Sequence, residues 1–471
     1  MDLDPVLLAR IQFAFTVSFH IIFPSFTIGL AAWIATLEGL WLATKNDRYH
    51  LLARFWTKIF AVSFGMGVVS GIVLSYQFGT NWSRYSETIG NVVGPLIGYE
   101  VLTAFFLEAT FLGIMLFGWN RVPPWLHFLA CVFVALGTTL SAFWIISANS
   151  WMQFPAGHQV RDGIAYPVDW AEIVFSPTFP WRLAHMVLAA YITTAFVVFA
   201  VGCGYWLKGK AIDQAETMIR MALGLLIVLV PAQGLVGDQH GLKTLEYQPV
   251  KLAAMEGHWG GPDVKPPLPW VLFGWPNAET ESNDFQIEIP YAGSLILTHS
   301  LDGNIKGLKD FPKEDWPPLA VPFFGFRIMV GLWGIMLLTV AAGAVLWWRG
   351  RLFSAGPYLR ISQHLWPIGF VTILSGWFVT EVGRQPWVAT GILRTADAAS
   401  PVTLGQVATT LALFVIVYGI VFAAGIYYIN RLLAAGPTSL PPGGGHDEDE
   451  GLKRPLSAAH DAGRPALSPG E

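Results

Sequence analysis

Again and again between residues 12 and 431, about twenty residues of Leu, Val, Ile, Phe, Ala and Gly pass with few charges before a polar or Pro-rich break. A bilayer core of about 30 Å asks for about 20 apolar residues in each crossing helix. Crossings are expected at about 12–42, 58–79, 94–117, 124–148, 184–207, 218–238, 322–348, 363–383 and 405–431. Apolar residues make up 54% of the chain and charged ones 13%, too few charges to cover a soluble domain of 471 residues. The expected fold is an all-α integral membrane protein, a bundle of about nine transmembrane helices. Net charge is −4 with no basic field, so nucleic acid is not an expected partner. Cys131 and Cys203 both fall in apolar segments and read as small buried hydrophobes. The first ten residues do not look like a cleavable signal peptide.

Four regions follow: helices one to six over 1–238, a loop over 239–321, helices seven to nine over 322–435, and a tail over 436–471. The loop, rich in Pro, Gly and charge, has to lie outside the hydrocarbon, where irregular backbone finds partners. The tail has the composition of a disordered segment. Lys and Arg concentrate in the odd connections: Lys45, Arg48, Arg54 and Lys58, then Arg121, then Lys208, Lys210 and Arg220, then Arg349, Arg351 and Arg360. The positive-inside bias makes those connections cytoplasmic. The N-terminus and the long loop are then outside, and the C-terminus is cytoplasmic.

An ionisable residue within a span costs several kcal/mol and marks function by default. His20, Glu38, Glu100, Glu108, His127, His185, Arg327, His364 and Glu381 are the main cases. Glu38 lies near a cytoplasmic end and is expected to face water. His127 and His364, near span ends, are expected at the interface. The inferred orientation brings His20, Glu100, His185, Arg327, Met329 and Glu381 to one layer near the outer face. Two His, a Met and two Glu are types that ligate haem iron, and Arg327 and Arg384 suit haem propionates.

The motifs carrying this layer resemble those of subunit I of cytochrome bd-type quinol oxidases. They are Arg10-Ile-Gln-Phe-Ala-Phe with Phe19-His20, Gly98-Tyr-Glu100 with Phe106-Leu-Glu108, Asn149-Ser-Trp-Met-Gln-Phe-Pro, Lys251-Leu-Ala-Ala-Met-Glu256, Phe326-Arg-Ile-Met329, and Glu381-Val-Gly-Arg-Gln-Pro-Trp387. The resemblance covers nearly all of residues 5–435, and its short outer loop is similar to that of the branch called cyanide-insensitive. It implies three haems: a low-spin b haem on His185 and Met329, with Arg327 at a propionate, and a high-spin b haem and a d-type chlorin on His20 and Glu381. Which of those two serves which haem stays open. Glu100, Trp377 and Arg384 are expected to line the paired-haem site. Lys251 and Glu256 are expected to bind quinol, Glu256 as the base that takes its protons.

The implied enzyme is a quinol:oxygen oxidoreductase of a bacterial cytoplasmic (inner) membrane, reducing O2 to water with cytoplasmic protons. The implied partners are subunit II and a small single-helix third subunit. Two other readings fare worse. A haem–copper core needs close-spaced membrane His pairs, and these histidines are far apart in sequence. A proton-coupled transporter predicts internal repeats and helices broken at the midplane, and no repeat is visible. Glu108 lies eight residues beyond Glu100, about 12 Å deeper on a regular helix. With Ser141, it is expected to pass protons to Glu100. Eight α-helical steps leave the two carboxylates about 80° out of line, so a bridging group is needed.

Overall fold

A computed structural model of the protein describes residues 4–261 and 264–437. The expected tail, apart from Gly436 and Pro437, lies outside the described residues. Helices dominate, in the order α1 (Pro5–Ile22), α2 (Pro24–Thr44), α3 (Asp47–Thr80), α4 (Ser83–Tyr99), a π segment (Glu100–Phe105), α5 (Phe106–Phe117), α6 (Pro124–Gln153), a short α7 (Trp170–Val174), α8 (Phe179–Leu207) and α9 (Ile212–Tyr247). Then come α10 (Pro249–Glu256), α11 (Ala292–Thr298), α12 (Ala320–Trp348), α13 (Gly356–Ser362), α14 (Ile368–Val382) and α15 (Leu404–Ala435). Among the described residues, eight helical stretches are long and apolar enough to cross a membrane, and α14 is a shorter apolar helix of 15 residues at the eighth expected position.

The boundaries reflect local chemistry. The Asp4 carboxylate caps α1 by accepting from the Leu7 N–H. Pro24 cannot donate to the His20 carbonyl four residues back, so the first crossing breaks there. The Phe23 N–H bonds that carbonyl instead, at 3.1 Å. His20 therefore sits in the last turn of α1, beside the break. Helix α9 continues to Tyr247, nine residues past the expected boundary at 238. The rest of the loop is ordered by α10, α11 and a hairpin of β3 (Trp270–Asn277) and β4 (Ser282–Ile289), after the smaller hairpin of β1 (His158–Arg161) and β2 (Ile164–Pro167) earlier in the chain. A third hairpin, β5 (Trp387–Ala389) with β6 (Leu393–Arg394), follows α14. Even-numbered connections meet at one end of the bundle: Thr390 N–H bonds Met152 O, Arg394 bonds Asp315, and Ser400 N–H bonds Asn81 O.

At the other end the structure corrects two expectations. Glu38 does not face water: it is 0% exposed. Its carboxylate lies 3.4 Å from His127 Nδ1 and 3.8 Å from His50 Nδ1, tying α2, α3 and α6 together. His127 is likewise buried, stacked on Trp119 at 4.1 Å. His364 is exposed, as its position near a span end suggested. Cys131 and Cys203 are free and buried, as expected.

Close helix approach depends on small residues, since lipid offers no hydrophobic drive for helices to associate. A Cβ on Gly29 would lie 2.8 Å from the Ala190 carbonyl oxygen and 2.5 Å from Thr194 Oγ1, so α2 and α8 approach only because that residue is Gly. Gly369 plays the same part between α14 and Thr193. Gly29→Ala is expected to destabilise the detergent-solubilised protein by about 1–3 kcal/mol through overpacking. Gly65→Ala, with open space at its Cβ, should leave the thermal transition unmoved or slightly raised. Equal transitions for both variants would show that α2 and α8 do not meet at Gly29.

Candidate functional site

A polar network crosses the bundle near the end where the even connections meet. It starts on α8, where buried Arg182 donates from Nη1 to Ser150 Oγ at 2.9 Å and from Nη2 to Asn149 Oδ1. Asn149, on α6, turns its amide nitrogen to Glu381 Oε1 at 2.8 Å. The other carboxylate oxygen of Glu381 is paired with Arg384. Both residues sit at the C-terminal end of α14, three apart and so on one face. One turn beyond Asn149, Gln153 accepts at Oε1 from Lys251 Nζ and from Gln248 Nε2, at 2.9 Å for the latter. The Lys251 stem packs at Gly383, where a Cβ would lie 2.9 Å from Lys251 Cγ.

Three cations thus converge on one carboxylate. Arg182, Lys251 and Arg384 are all less than a tenth exposed. Burial, together with Arg182 and Arg384, pulls the Lys251 ammonium well below its usual range. Arg384 Nε and Nη1 are buried without a hydrogen-bond partner among the described residues.

His20 donates from Nδ1 to Ser70 Oγ at 2.9 Å, and Ser70 in turn donates to the Gly67 carbonyl. That chain of donors leaves Nε2 as the ring's lone-pair nitrogen, with no hydrogen-bond partner among the described residues. Gly71 lies flush against the ring, where a Cβ would come within 3.1 Å of Cε1. His185 is flanked by α9: Gln233 Nε2 lies 3.2 Å from its Nδ1, Gly237 leaves space beside Cε1, and the His240 ring meets it edge-on at 5.3 Å. Met329, on α12, turns its sulfur to Gly376 of α14, where a Cβ would lie 3.0 Å away, and Trp377 is the next residue.

These residues fit haem on three observations. His20 has the oriented imidazole and free Nε2 that metal ligation needs. His185 and Met329 each stand beside a glycine that clears space at the ring or the sulfur. The cation excess and the unpartnered N–H groups of Arg384 call for anionic oxygens such as propionates. Glu381 is a less simple fit, because each of its oxygens already accepts a hydrogen bond. Arg327 also has other work: Nη1 donates to Met255 O and Phe323 O, and Nη2 to Glu256 O and Val271 O, leaving Nε without a partner among the described residues.

Lys251 and Glu256 do not form a pair. Five residues apart on α10, they are about 140° apart around the helix, so Lys251 faces the network and Glu256 faces away. The Glu256 carboxylate accepts from Trp270 Nε1 at 3.1 Å, and its nearest cation is Arg327. Glu256 opens onto a cavity of about 180 Å³ under the β3–β4 hairpin.

Glu100 accepts from Ser141 Oγ at 2.8 Å, so Ser141 stands level with Glu100. Glu108 packs against Gly137 one turn away on the same face of α6, and its Oε1 is buried without a hydrogen-bond partner among the described residues. Glu100 opens the π segment. A π turn closes over five residues, so each residue contributes less rotation than in an α-helix. The 80° offset expected on a regular helix shrinks accordingly.

Sequence reasoning gave no role to Arg182, Asn149, Gln153, Ser70, Gln233 or His240. Asn149 and Gln153 were within reach, because two amides four apart in an apolar segment share a helix face. His240 was hidden by ending α9 too early.

Comparison with known proteins identifies the family. The family described as "Cytochrome bd terminal oxidase subunit I" matches residues 8–437. The "Cytochrome bd ubiquinol oxidase subunit 1" of Bacillus subtilis (strain 168) is 35% identical over 444 residues, covering 92% of this chain and 94% of that one. The "Cytochrome bd-II ubiquinol oxidase subunit 1" of Escherichia coli (strain K12) is 32% identical over 507 residues, covering 93% and 98%. The solved bd oxidase of Geobacillus thermodenitrificans superposes with a TM-score of 0.85 at 30% identity, over 92% of this chain and 99% of that one. Sequence match, fold match and the polar network all lead to one conclusion: the chain belongs to the cytochrome bd terminal oxidase subunit I family.

Proposed function

We propose that this subunit oxidises membrane quinol at its outer loop and hands the electrons to bound haems, where O2 is reduced to water with cytoplasmic protons. Membership of the family makes it a terminal quinol oxidase subunit, working beside a second membrane subunit. The observation that carries the finer reading is the buried cation excess of Arg182, Lys251 and Arg384 around Glu381, joined through Lys251 to the helix that carries Glu256.

The residues divide the work. His185 and Met329 would hold the low-spin b haem, and His20 and Glu381 the high-spin b haem and the d-type haem. Arg182, Lys251 and Arg384 would balance propionates. Bound haem supplies the one-electron steps that quinol and oxygen chemistry require. On the outer side, Glu256 takes quinol protons. Its carboxyl is pushed up to about 7 by burial, so it is poised to accept and release protons near neutrality. Arg327 fixes the C-terminal end of α10 through the carbonyls of Met255 and Glu256 and so holds Glu256 at the cavity. On the inner side, Glu108 passes protons to Glu100 and Ser141. The N-terminus and the loop over 239–321 lie outside, the C-terminus lies in the cytoplasm, and the membrane is the bacterial inner membrane. Charge separation arises from proton uptake across most of the bilayer rather than from pumping.

Three outcomes follow. Met329→Leu keeps the volume but offers no sulfur to iron, so it should remove the low-spin signal from the reduced-minus-oxidised spectrum while the chain still assembles. An unchanged signal would leave Met329 as packing only. Because the Glu256 carboxyl must be ionised to accept a proton, kcat/KM for quinol should rise with pH and level off above about 7. Glu256→Gln should lower it by about 10²-fold or more, with an artificial electron donor that bypasses the loop still oxidised at the normal rate; equal loss with both donors would place Glu256 elsewhere in the enzyme. Glu108→Gln keeps the shape but cannot ionise. It should slow oxygen reduction and the membrane-potential signal while quinol still reduces the low-spin haem, and full voltage generation would exclude Glu108 from the route.

A further inference from the structure

Glu256 has no direct way to shed a proton. It is 4% exposed, on the inner wall of the cavity beneath the β3–β4 hairpin. A second titratable side chain lines the same cavity, His258. Between them Gly257 adopts a left-handed conformation, φ +68°, and a Cβ there would lie 2.6 Å from the Phe323 ring. That turn brings residue 258 round to the cavity. The backbone of His258 is held on both sides: its N–H donates to Ala253 O at 2.9 Å, and its carbonyl accepts from Leu308 N–H at 3.0 Å. In the ring, Nε2 is buried without a hydrogen-bond partner among the described residues, while the ring also hydrogen-bonds the backbone of Ile305. With the other nitrogen engaged by Ile305, Nε2 is the basic position. Beyond the ring lies Asp310, exposed to solvent and anchored by the Gly307 N–H at 2.8 Å.

We propose that His258 is the proton relay that carries quinol protons from Glu256 to the outer water. The proposal rests on the outer loop being the quinol site. In each step the O–H bond of the Glu256 carboxylic acid breaks and an N–H bond forms at His258 Nε2, through water in the cavity. The imidazolium then loses that proton to Asp310 and bulk water, and no electrons move. Burial pushes the His258 imidazole down while it pushes the Glu256 carboxyl up to about 7. Opposite shifts bring two groups of different ordinary strength close together, so the proton passes between them at little cost. Among the described residues, the charged groups facing the pair are few. Arg327 sits behind Glu256 on α12, and Asp310 sits beyond His258. Lys309, next to Asp310, reaches out to Glu281 at 3.9 Å rather than into the cavity. The β3–β4 hairpin lines the cavity with Trp270, Val271, Asn283 and Gln286, all of them neutral.

The test is His258→Gln in the complete oxidase, assayed with a short-chain ubiquinol and a short-chain menaquinol. The expected result is a kcat about tenfold or more lower, with KM unchanged, normal turnover with the bypass donor, and recovery when imidazole is added to the medium. Infrared spectroscopy gives a readout without turnover: the carboxylic C=O band of Glu256, absent in Glu256→Gln, should shift on transfer to D2O more slowly in His258→Gln than in the unaltered protein, because the path for its proton is cut. Unchanged kcat with an unchanged exchange rate would overturn the relay, as would a loss seen equally with the bypass donor or not recovered by imidazole. If Glu256→Gln itself oxidises quinol normally, the quinol site is not here and both readings fall. If only His258→Gln is silent, the relay alone falls.

Discussion

Three buried cations sharing one carboxylate dominate the interior of this protein. Each ion removed from water costs several kcal/mol, and mutual attraction repays that only where charges are matched and hydrogen bonds complete. Here they are not matched within the chain. Asn149 bridges Arg182 to Glu381 by presenting its oxygen to the cation and its nitrogen to the anion, and Gln153 receives Lys251. These amides lower the cost without supplying charge. The remaining imbalance is a standing attraction for carboxylates brought in from outside the chain, and haem propionates are the obvious ones in this family. Positions that seem independent in sequence are therefore coupled: removing any one cation changes what the other two can hold.

Helix α10 works because it is short and two-sided. Its eight residues present Lys251 to the cationic network and Glu256 to the outer cavity. Arg327 locks its end by donating to the carbonyls of Met255 and Glu256, the kind of group a helix C-terminus leaves unpaired. The face toward the network and the face toward the cavity are thus one helix diameter, about 10 Å, apart.

Much of this was legible in the sequence for plain physical reasons. The crossings are written in hydropathy, because backbone in lipid has to be satisfied within its own helix. His20, His185, Glu100, Glu108, Glu381 and Met329 stood out because polar groups and ligand types in such segments are rare. What stayed hidden depended on rotation and on distant pairing. Lys251 and Glu256 are adjacent in a motif but lie on opposite helix faces. Glu38 lies near the end of an apolar run, where the sequence allows water, yet His50 and His127 from two other helices close over it. Arg182 stayed hidden because the expected crossing started at 184, and nothing local announces that α8 begins at Phe179 and carries it inward.

The π segment shows how far such local geometry reaches. On a regular helix the eight residues from Glu100 to Glu108 would leave their carboxylates on different faces, with α6 able to serve only one. The wider turn over Glu100–Phe105 takes back part of that rotation. Both then meet the face of α6 that carries Gly137 and Ser141, themselves four residues apart and so in line. Gly137 admits the Glu108 stem, and Ser141 gives Glu100 its hydrogen bond. The two carboxyls are therefore turned toward the same neighbouring helix. An α-helical repair of the π segment would leave every side chain in place by name and still separate them.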